Sequence, residues 1–167
     1  ELKPLENQKL HWQKLECLDV APVLEPNIPI LKSLHLPDSY LITNLQYLGE
    51  AQFFENLSNA VTQAPQFIQV REKNLSMSEL EAFTKDVLSV CRSSGSKVFL
   101  NSHIDLGVKL GVDGIHLNSM QLKTMTHRPD FELCAGSCHN KSDLERVDAL
   151  GLDFAVLSPV KLTSSHP

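Results

Sequence analysis

From residue 40 onward, short apolar segments recur along the chain at intervals that are typical of alternating strands and helices. Several are continuously apolar, as strands covered on both faces of a parallel sheet should be. The pattern predicts strands over residues 40–43, 67–70, 97–100, 114–117, 133–135 and 154–157.

Helical patterns separate these strands. Apolar residues lie three or four positions apart over residues 53–61, 80–91, 104–110 and 142–150. A capping signal at Ser76 and Glu79 precedes the second of these helices. The last one has Asn140 or Ser142 as its N-cap and Gly151 as its stop.

Strand alternating with helix six times predicts an α/β fold with parallel strands and right-handed crossovers. Two architectures fit, a doubly wound open sheet and a (β/α)8 barrel. Both bind ligands at the carboxyl ends of their strands, where this chain has polar residues after all six predicted strands. These residues are Asn44, Arg71 and Lys73, Asn101 and His103, Asn118, Ser137 and His139, and Ser158.

The segment that follows the second predicted strand has the strongest chemical signal. On an extended strand, Gln69, Arg71 and Lys73 face the same side. Two cations beside an amide suit a phosphate or pyrophosphate, because Arg grips two oxygens at once and Lys acts as a point charge. A solvated, charged strand end is the alternative interpretation.

A second segment predicts a compact junction between a helix and a strand. The helix ends at Gly111, and Asp113 and Gly114 lead into an apolar strand. His116 lies between two apolar residues of that strand. It is predicted to face the interior as a hydrogen-bonded core or barrel histidine.

Composition limits the function classes. The 167 residues include 15 Lys and Arg and 20 Asp and Glu, a net charge of −5, which argues against a nucleic-acid-binding surface. No apolar run approaches ~18 residues and no signal-peptide pattern is present, which predicts a cytoplasmic protein without a membrane span.

The four cysteines, Cys17, Cys91, Cys134 and Cys138, form no CxxC pair and are predicted to be reduced thiols. A metal site at Cys134, Cys138 and His139 is the alternative, although it lacks a second ligand pair.

Four motifs in register resemble thiamine phosphate synthase and its TenI-like relatives over residues 40–167. They are Gln69-x-Arg71-x-Lys73, Asn101-x-x-x-Asp105-Leu, Gly111-x-Asp113-Gly114-x-His116-Leu117 and Gly136-Ser137-x-His139. The resemblance implies a (β/α)8 TIM barrel in thiamine biosynthesis. The synthase joins hydroxymethylpyrimidine pyrophosphate to thiazole phosphate with release of pyrophosphate and the help of magnesium, and the TenI-like branch includes thiazole tautomerases.

The resemblance also assigns roles to positions of this chain. The implied substrate-binding residues are Gln69, Arg71, Lys73, Asn101, Thr163 and Ser165. The first four surround the pyrophosphate, and the last two lie in the loop that meets the thiazole phosphate. Ser137 matches a pyrophosphate-binding serine, and His139 matches the acid/base of the tautomerases. Both are the expected catalytic residues.

Three positions depart from the synthase pattern. Ser102 and Gln121 replace the two aspartates that bind magnesium in the family, and His166 replaces a lysine. Magnesium requires hard anionic oxygens, so we expect no metal ligands here. Loss of the ion should slow a synthase by roughly 10³-fold or more.

Residues 1–39 differ from the rest, with five of the nine prolines and the single tryptophan, Trp12. Amphipathic turns are predicted around residues 10–18 and a short helix at residues 30–34. Trp12, residues 25–30 and residues 34–37 resemble the end of a Nudix domain in proteins that fuse a MutT-like Nudix hydrolase to such a barrel. We therefore expect the domain boundary at residues 39 and 40.

Two functions stay open on the sequence. One is an enzyme of thiamine metabolism, a transferase or a tautomerase. The other is a non-catalytic module that binds a phosphorylated ligand for an attached Nudix hydrolase of the 8-oxo-dGTP diphosphatase type. The expected ligands are hydroxymethylpyrimidine pyrophosphate, thiazole phosphate or thiamine phosphate, and a homodimer stays open.

The length of the predicted barrel domain is short for a complete (β/α)8 barrel. Residues 40–167 are 128 residues, whereas (β/α)8 domains typically have about 200–250. Six strands are found in the sequence, so we expect a segment of a longer polypeptide that ends before strands seven and eight.

Overall fold

The computed structural model describes residues 9, 11–19 and 21–159, and the chain divides into two compact units, residues 1–36 and 37–167. The first unit has two 3₁₀ helices, Leu15–Cys17 and Glu25–Asn27, followed by helix α1 (Ile28–Leu34). The predicted helix at residues 30–34 is confirmed within α1. Of the turns predicted around residues 10–18, the described part forms one 3₁₀ turn.

The second unit contains a sheet of six parallel strands. The strands are β1 (Tyr40–Ile42), β2 (Phe67–Val70), β3 (Lys97–Asn101), β4 (Gly114–Leu117), β5 (Leu133–Cys138) and β6 (Phe154–Leu157). They lie side by side in chain order, and every neighbouring pair is parallel. All six predicted strands are confirmed. A doubly wound sheet reverses its strand order, so this order favours a barrel.

Six helices connect or follow the strands. They are α2 (Leu45–Leu48), α3 (Glu50–Gln63), α4 (Met77–Cys91), α5 (Ile104–Leu110), α6 (Ser119–Thr124) and α7 (Lys141–Ala149). The four longest were predicted, but α2 and α6 were not, because four and six residues are too few for a recognisable apolar period.

The predicted helix caps are also present. Ser76 and Glu79 form a capping box at the start of α4, each side chain bonding the other residue's backbone N–H. Asn140, rather than Ser142, caps α7. Gly111 ends α5 in the left-handed conformation that glycine adopts without steric cost.

The convex face of the sheet packs against the helices. Val70, Leu100 and Ile115 are fully buried there among apolar residues of α3, α4 and α5. Burial of this face anchors each strand, so the strand ends are held in fixed positions relative to one another.

The concave face is lined by aromatic rings. Phe99 of β3 lies 5.4 Å from Tyr40, 5.2 Å from Phe67 and 5.6 Å from Phe154 between ring centroids. Tyr40 of β1 and Phe154 of β6 are themselves 5.2 Å apart. In a flat sheet these outer strands would be separated by about 24 Å, five spacings of about 4.8 Å. The sheet is therefore strongly curled, as a half-barrel.

Within the described residues, no helix is long and apolar enough to cross a membrane.

The close approach of β4 to the ring of Phe99 yields a test of the curl. A Cβ atom at Gly114 would lie 2.5 Å from that ring and 2.9 Å from the carbonyl oxygen of Leu133. Gly114→Ala should lower the free energy of unfolding by about 1–3 kcal/mol through overpacking, measured by urea denaturation. Phe99→Leu removes part of the clash, so the two substitutions together should cost less than the sum of their separate costs. Strictly additive costs would contradict this packing.

Candidate functional site

The loop after β2 brings two cations to the carboxyl end of the sheet. The backbone N–H of Arg71 donates to Thr43 Oγ1 at 3.0 Å, and Glu72 Oε1 accepts from the N–H of Leu45 at 3.1 Å. These two bonds tie the loop to the segment after β1. Arg71 and Lys73 are consequently exposed at the mouth of the curled sheet.

A cavity of about 260 Å³ opens beside this loop. Its polar lining residues are Arg71, Glu72, Lys73, Asn101 and His103. The cavity has a positive character because Arg71 and Lys73 bring two positive charges to its lining against the single negative charge of Glu72.

Gln69 does not lie in this cavity. Gln69 belongs to β2, which ends at Val70, whereas Arg71 and Lys73 belong to the loop beyond the strand. That the three side chains face the same side stays a prediction. Gln69 is instead buried, and its Nε2 donates to Asn101 Oδ1 at 3.4 Å. Of the predicted residues, Arg71, Lys73 and Asn101 therefore line the cavity, and Gln69 supports Asn101 from below.

A network of neutral polar groups follows β3. The hydroxyl oxygen of Ser102 accepts from the side-chain amides of Asn101 and Asn118, each at 2.9 Å. The carbonyl oxygen of Ser102 accepts from Gln121 Nε2 at 2.6 Å. Ser102 has a φ of 66°, a left-handed conformation that is uncommon for residues other than glycine.

This network determines whether a metal fits at Ser102 and Gln121, the two positions at which the resemblance places magnesium ligands. At Ser102 and Gln121 the side chains offer a hydroxyl and an amide, both already bonded within the network. Magnesium binding relies on one or two carboxylates together with phosphate oxygens. The donor set at these two positions therefore does not fit magnesium.

His116 connects the interior of the sheet to Ser137. The predicted interior position of His116 is confirmed, since it is buried with 2 % of its surface exposed. Its Nδ1 lies 3.0 Å from the hydroxyl of Tyr40, and its Nε2 lies 2.9 Å from Ser137 Oγ. Burial, with a smaller contribution from the charge of Arg71, lowers the pKa of His116 to about 4. The imidazole is therefore neutral at pH 7.

His139 lies just after β5 and is held by the ends of two elements. Its backbone N–H donates to the buried carboxylate of Asp143 at 2.9 Å, and its Nδ1 is bonded to the carbonyl oxygen of Ser158. A carbonyl oxygen accepts only, so Nδ1 is the donor in this bond. His139 is exposed at the carboxyl end of the sheet.

The cysteines of the second unit are protonated thiols rather than reactive thiolates. Cys91, Cys134 and Cys138 are free and buried, and Cys17 of the first unit is free and exposed. Burial raises the pKa of Cys91 and Cys134 to about 11 and also raises that of Cys138. Within residues 9, 11–19 and 21–159, no three His, Cys, Asp or Glu side chains are grouped to hold a metal ion. Thr163, Ser165 and His166 lie outside the described residues.

Two supporting residues were missed in the sequence. Thr43 is buried and anchors Arg71, and Tyr40 is bonded to His116. Hydroxyl groups at the two ends of an apolar strand indicate buried hydrogen-bond partners, because a buried hydroxyl requires one. This is the sequence signal that could have identified the two residues. Their partners lie 28 and 76 residues away along the chain, so the sequence could not identify them.

Comparisons with known proteins agree on one family. A family model described as thiamine monophosphate synthase matches residues 39–167. The putative thiamine-phosphate synthase 2 of Aquifex aeolicus is 29 % identical over 137 residues, which cover 80 % of this chain and 73 % of that protein. The thiamine-phosphate synthase of Prochlorococcus marinus strain MIT 9303 is 27 % identical over 140 residues, which cover 82 % of this chain and 39 % of that protein.

A solved structure matches the fold. The thiamine phosphate pyrophosphorylase from Pyrococcus furiosus aligns with a TM-score of 0.61 at 19 % sequence identity, covering 76 % of this chain and 62 % of that one. This confirms the TIM-barrel-like fold. The chain spans less than two thirds of the length of the Prochlorococcus and Pyrococcus proteins.

The buried, neutral His116 predicts a specific loss of stability in acid. The pKa of His116 is about 4 in the folded protein and lies below its usual 6.5. Between these two pH values the imidazole is therefore protonated in the unfolded chain and neutral in the folded one. The free energy of unfolding should fall by up to about 3 kcal/mol between pH 6.5 and 4 because of this group, with no further loss below pH 4. Urea denaturation across this range should show a smaller fall for His116→Asn. Parallel pH curves for the two proteins would refute the assignment.

Proposed function

The chain belongs to the thiamine monophosphate synthase family, and we propose that residues 40–167 bind a small phosphorylated ligand of thiamine synthesis at the carboxyl ends of their strands. The observation that carries this proposal is the cavity lined by Arg71, Lys73 and Asn101. The candidate ligands are hydroxymethylpyrimidine pyrophosphate, thiazole phosphate and thiamine phosphate. All three have a phosphate that a guanidinium and an ammonium group can bind.

Each candidate residue has a separate task in this proposal. Arg71 binds phosphate oxygens while Thr43 fixes its backbone, and Lys73 adds a second positive charge. Gln69 orients Asn101 at the cavity wall. Ser137 donates its hydroxyl to the ligand. Thr163 and Ser165, which lie outside the described residues, are proposed to meet the phosphate of a thiazole.

We propose further that the protein is impaired as a synthase. The neutral bonded groups at Ser102 and Gln121 support this, because a departing pyrophosphate needs its charge neutralised and magnesium normally does so. Arg71 and Lys73 supply positive charge for binding. They would not supply the charge neutralisation that a bound divalent ion gives to a departing pyrophosphate.

A TenI-like tautomerase is the second candidate, favoured by the geometry of His139. Its attachment to Asp143 and Ser158 holds an exposed imidazole at the carboxyl end of the sheet, which suits a general acid/base. This chemistry requires no metal. Loss of thiazole tautomerisation in His139→Gln with retained pyrophosphate binding would separate this role from ligand binding.

The third candidate is a non-catalytic module attached to a Nudix hydrolase in a longer polypeptide. It is supported by the neutral magnesium positions and by the Nudix-like pattern of residues 1–39. Under this proposal the ligand regulates the attached enzyme, and a homodimer would be compatible with it. Phosphorylated thiazole that leaves the hydrolase rate of the full-length protein unchanged would contradict this candidate.

Binding of inorganic pyrophosphate tests the proposed site. Arg71→Ala removes the charge-assisted contacts of the guanidinium, so calorimetry should show an affinity lower by about tenfold or more. The matched control is Lys85→Ala, since Lys85 is an exposed cation of α4 that pairs with Glu81. The control should bind as the wild type does. Equal binding by the wild type and Arg71→Ala would refute the proposal.

Magnesium dependence tests the interpretation of Ser102 and Gln121. In the wild type, Mg²⁺ should not raise the affinity for pyrophosphate above that measured with EDTA. Ser102→Asp combined with Gln121→Asp should weaken binding in EDTA by at least about tenfold through charge repulsion, and Mg²⁺ should restore it. Clear magnesium-dependent formation of thiamine phosphate by the wild type from its two precursors would overturn the proposed impairment.

A further inference from the structure

Three side chains form a hydrogen-bonded chain across the concave face of the sheet. Tyr40 belongs to β1, His116 to β4 and Ser137 to β5. The Tyr40 hydroxyl lies 3.0 Å from His116 Nδ1, and His116 Nε2 lies 2.9 Å from Ser137 Oγ. The chain therefore runs from the aromatic interior to the carboxyl end of the sheet, where the proposed ligand binds.

The two ends of this chain have different surroundings. The Tyr40 ring packs edge-on against Phe99 and Phe154, and among the described residues its hydroxyl has a single hydrogen-bond partner, His116. Ser137 lies near the end of β5 and is partly exposed. At Tyr40, a hydroxyl hydrogen without an acceptor would be costly, because it would be buried among aromatic rings. At Ser137, the hydroxyl hydrogen can bond to water or to a ligand.

This difference fixes the direction of the hydrogen bonds. A neutral imidazole has one donor and one acceptor nitrogen. If Nδ1 carried the proton, the Tyr40 hydroxyl hydrogen would have to point among aromatic rings. If Nε2 carries it, Tyr40 donates to Nδ1, Nε2 donates to Ser137 Oγ, and the hydrogen of Ser137 points outward.

We propose that Tyr40 and His116 are positioning residues that orient the Ser137 hydroxyl as a hydrogen-bond donor to an anionic oxygen of the ligand. The inference rests on the proposed function for the identity of the ligand. The direction of the hydrogen bonds does not depend on it. Neither Tyr40 nor His116 contacts the ligand in this arrangement, since each acts through Ser137.

The protonation states of both groups agree with this direction. Burial raises the pKa of Tyr40, so the phenol keeps its proton. Burial and the charge of Arg71 keep His116 neutral at pH 7. Because His116 Nε2 is a donor, it does not serve as a base towards Ser137. The serine is thus set to stabilise negative charge and not to attack as a nucleophile.

The tautomer of His116 is the first test and needs no ligand. Nitrogen-15 NMR of the ligand-free protein at pH 7 should show a protonated Nε2 and an unprotonated Nδ1, with the signals assigned by their loss in His116→Asn. Tyr40→Phe removes the donor to Nδ1 and should increase the fraction of the Nδ1-protonated tautomer. A predominant Nδ1-protonated tautomer in the wild type would overturn the proposal, and a merely structural role for Tyr40 would leave the tautomer ratio unchanged.

Binding of inorganic pyrophosphate is the second test. Ser137→Ala should lower the affinity about tenfold, and Tyr40→Phe should lower it about threefold. In the presence of Ser137→Ala, the Tyr40→Phe substitution should have no further effect, because its influence passes through the serine hydroxyl. An equal loss with and without Ser137→Ala would overturn the positioning role, provided that thermal melting shows each variant to be folded.

The two tests separate this inference from the proposed function. If Arg71→Ala leaves pyrophosphate binding unchanged while His116 is protonated at Nε2, the proposed function fails and the assigned direction of the hydrogen bonds stands. If Arg71→Ala weakens binding while His116 is protonated at Nδ1, the proposed function stands and the positioning role fails.

Discussion

The packing of Phe99 at the centre of the concave face is the contact on which the rest of the structure depends. This one ring meets rings from three other strands, and the small residue Gly114 beside it gives the ring room. The curl that results brings β1 towards β4 and β5 across the concave face. Without it, Tyr40 and Ser137 could not both reach His116, and the polar strand ends would be spread along a flat edge.

Polarity on this face changes in layers along the strands. Aromatic rings occupy the lower layer, a neutral hydrogen-bonded layer of Gln69, Asn101, His116 and Ser137 lies above it, and exposed cations lie in the loop beyond. The middle layer is largely buried, so each of its donors and acceptors requires a partner. This requirement fixes the side chains before a ligand binds and reduces the entropy lost on binding.

Sequence patterns predicted the elements better than the site. Continuous apolar runs located all six strands, and caps such as Ser76 with Glu79 located the longer helices, because both signals are local. The apolar run also located the end of β2 at Val70, whereas the loop beyond it is held by contacts with the segment after β1 that the local pattern does not contain. The hydrogen bonds from Tyr40 to His116 and between Thr43 and Arg71 join distant parts of the chain. The spacing of apolar residues along the chain therefore cannot predict them.

The surroundings of Ser102 determine which other side chains this position can accept. Two amide groups point at its side chain, an arrangement that a carboxylate would accept equally well, and its left-handed backbone suits aspartate better than serine. The loop therefore accommodates an aspartate at position 102 with its present backbone. The difference between a neutral and an anionic group at this position lies in the side chain alone.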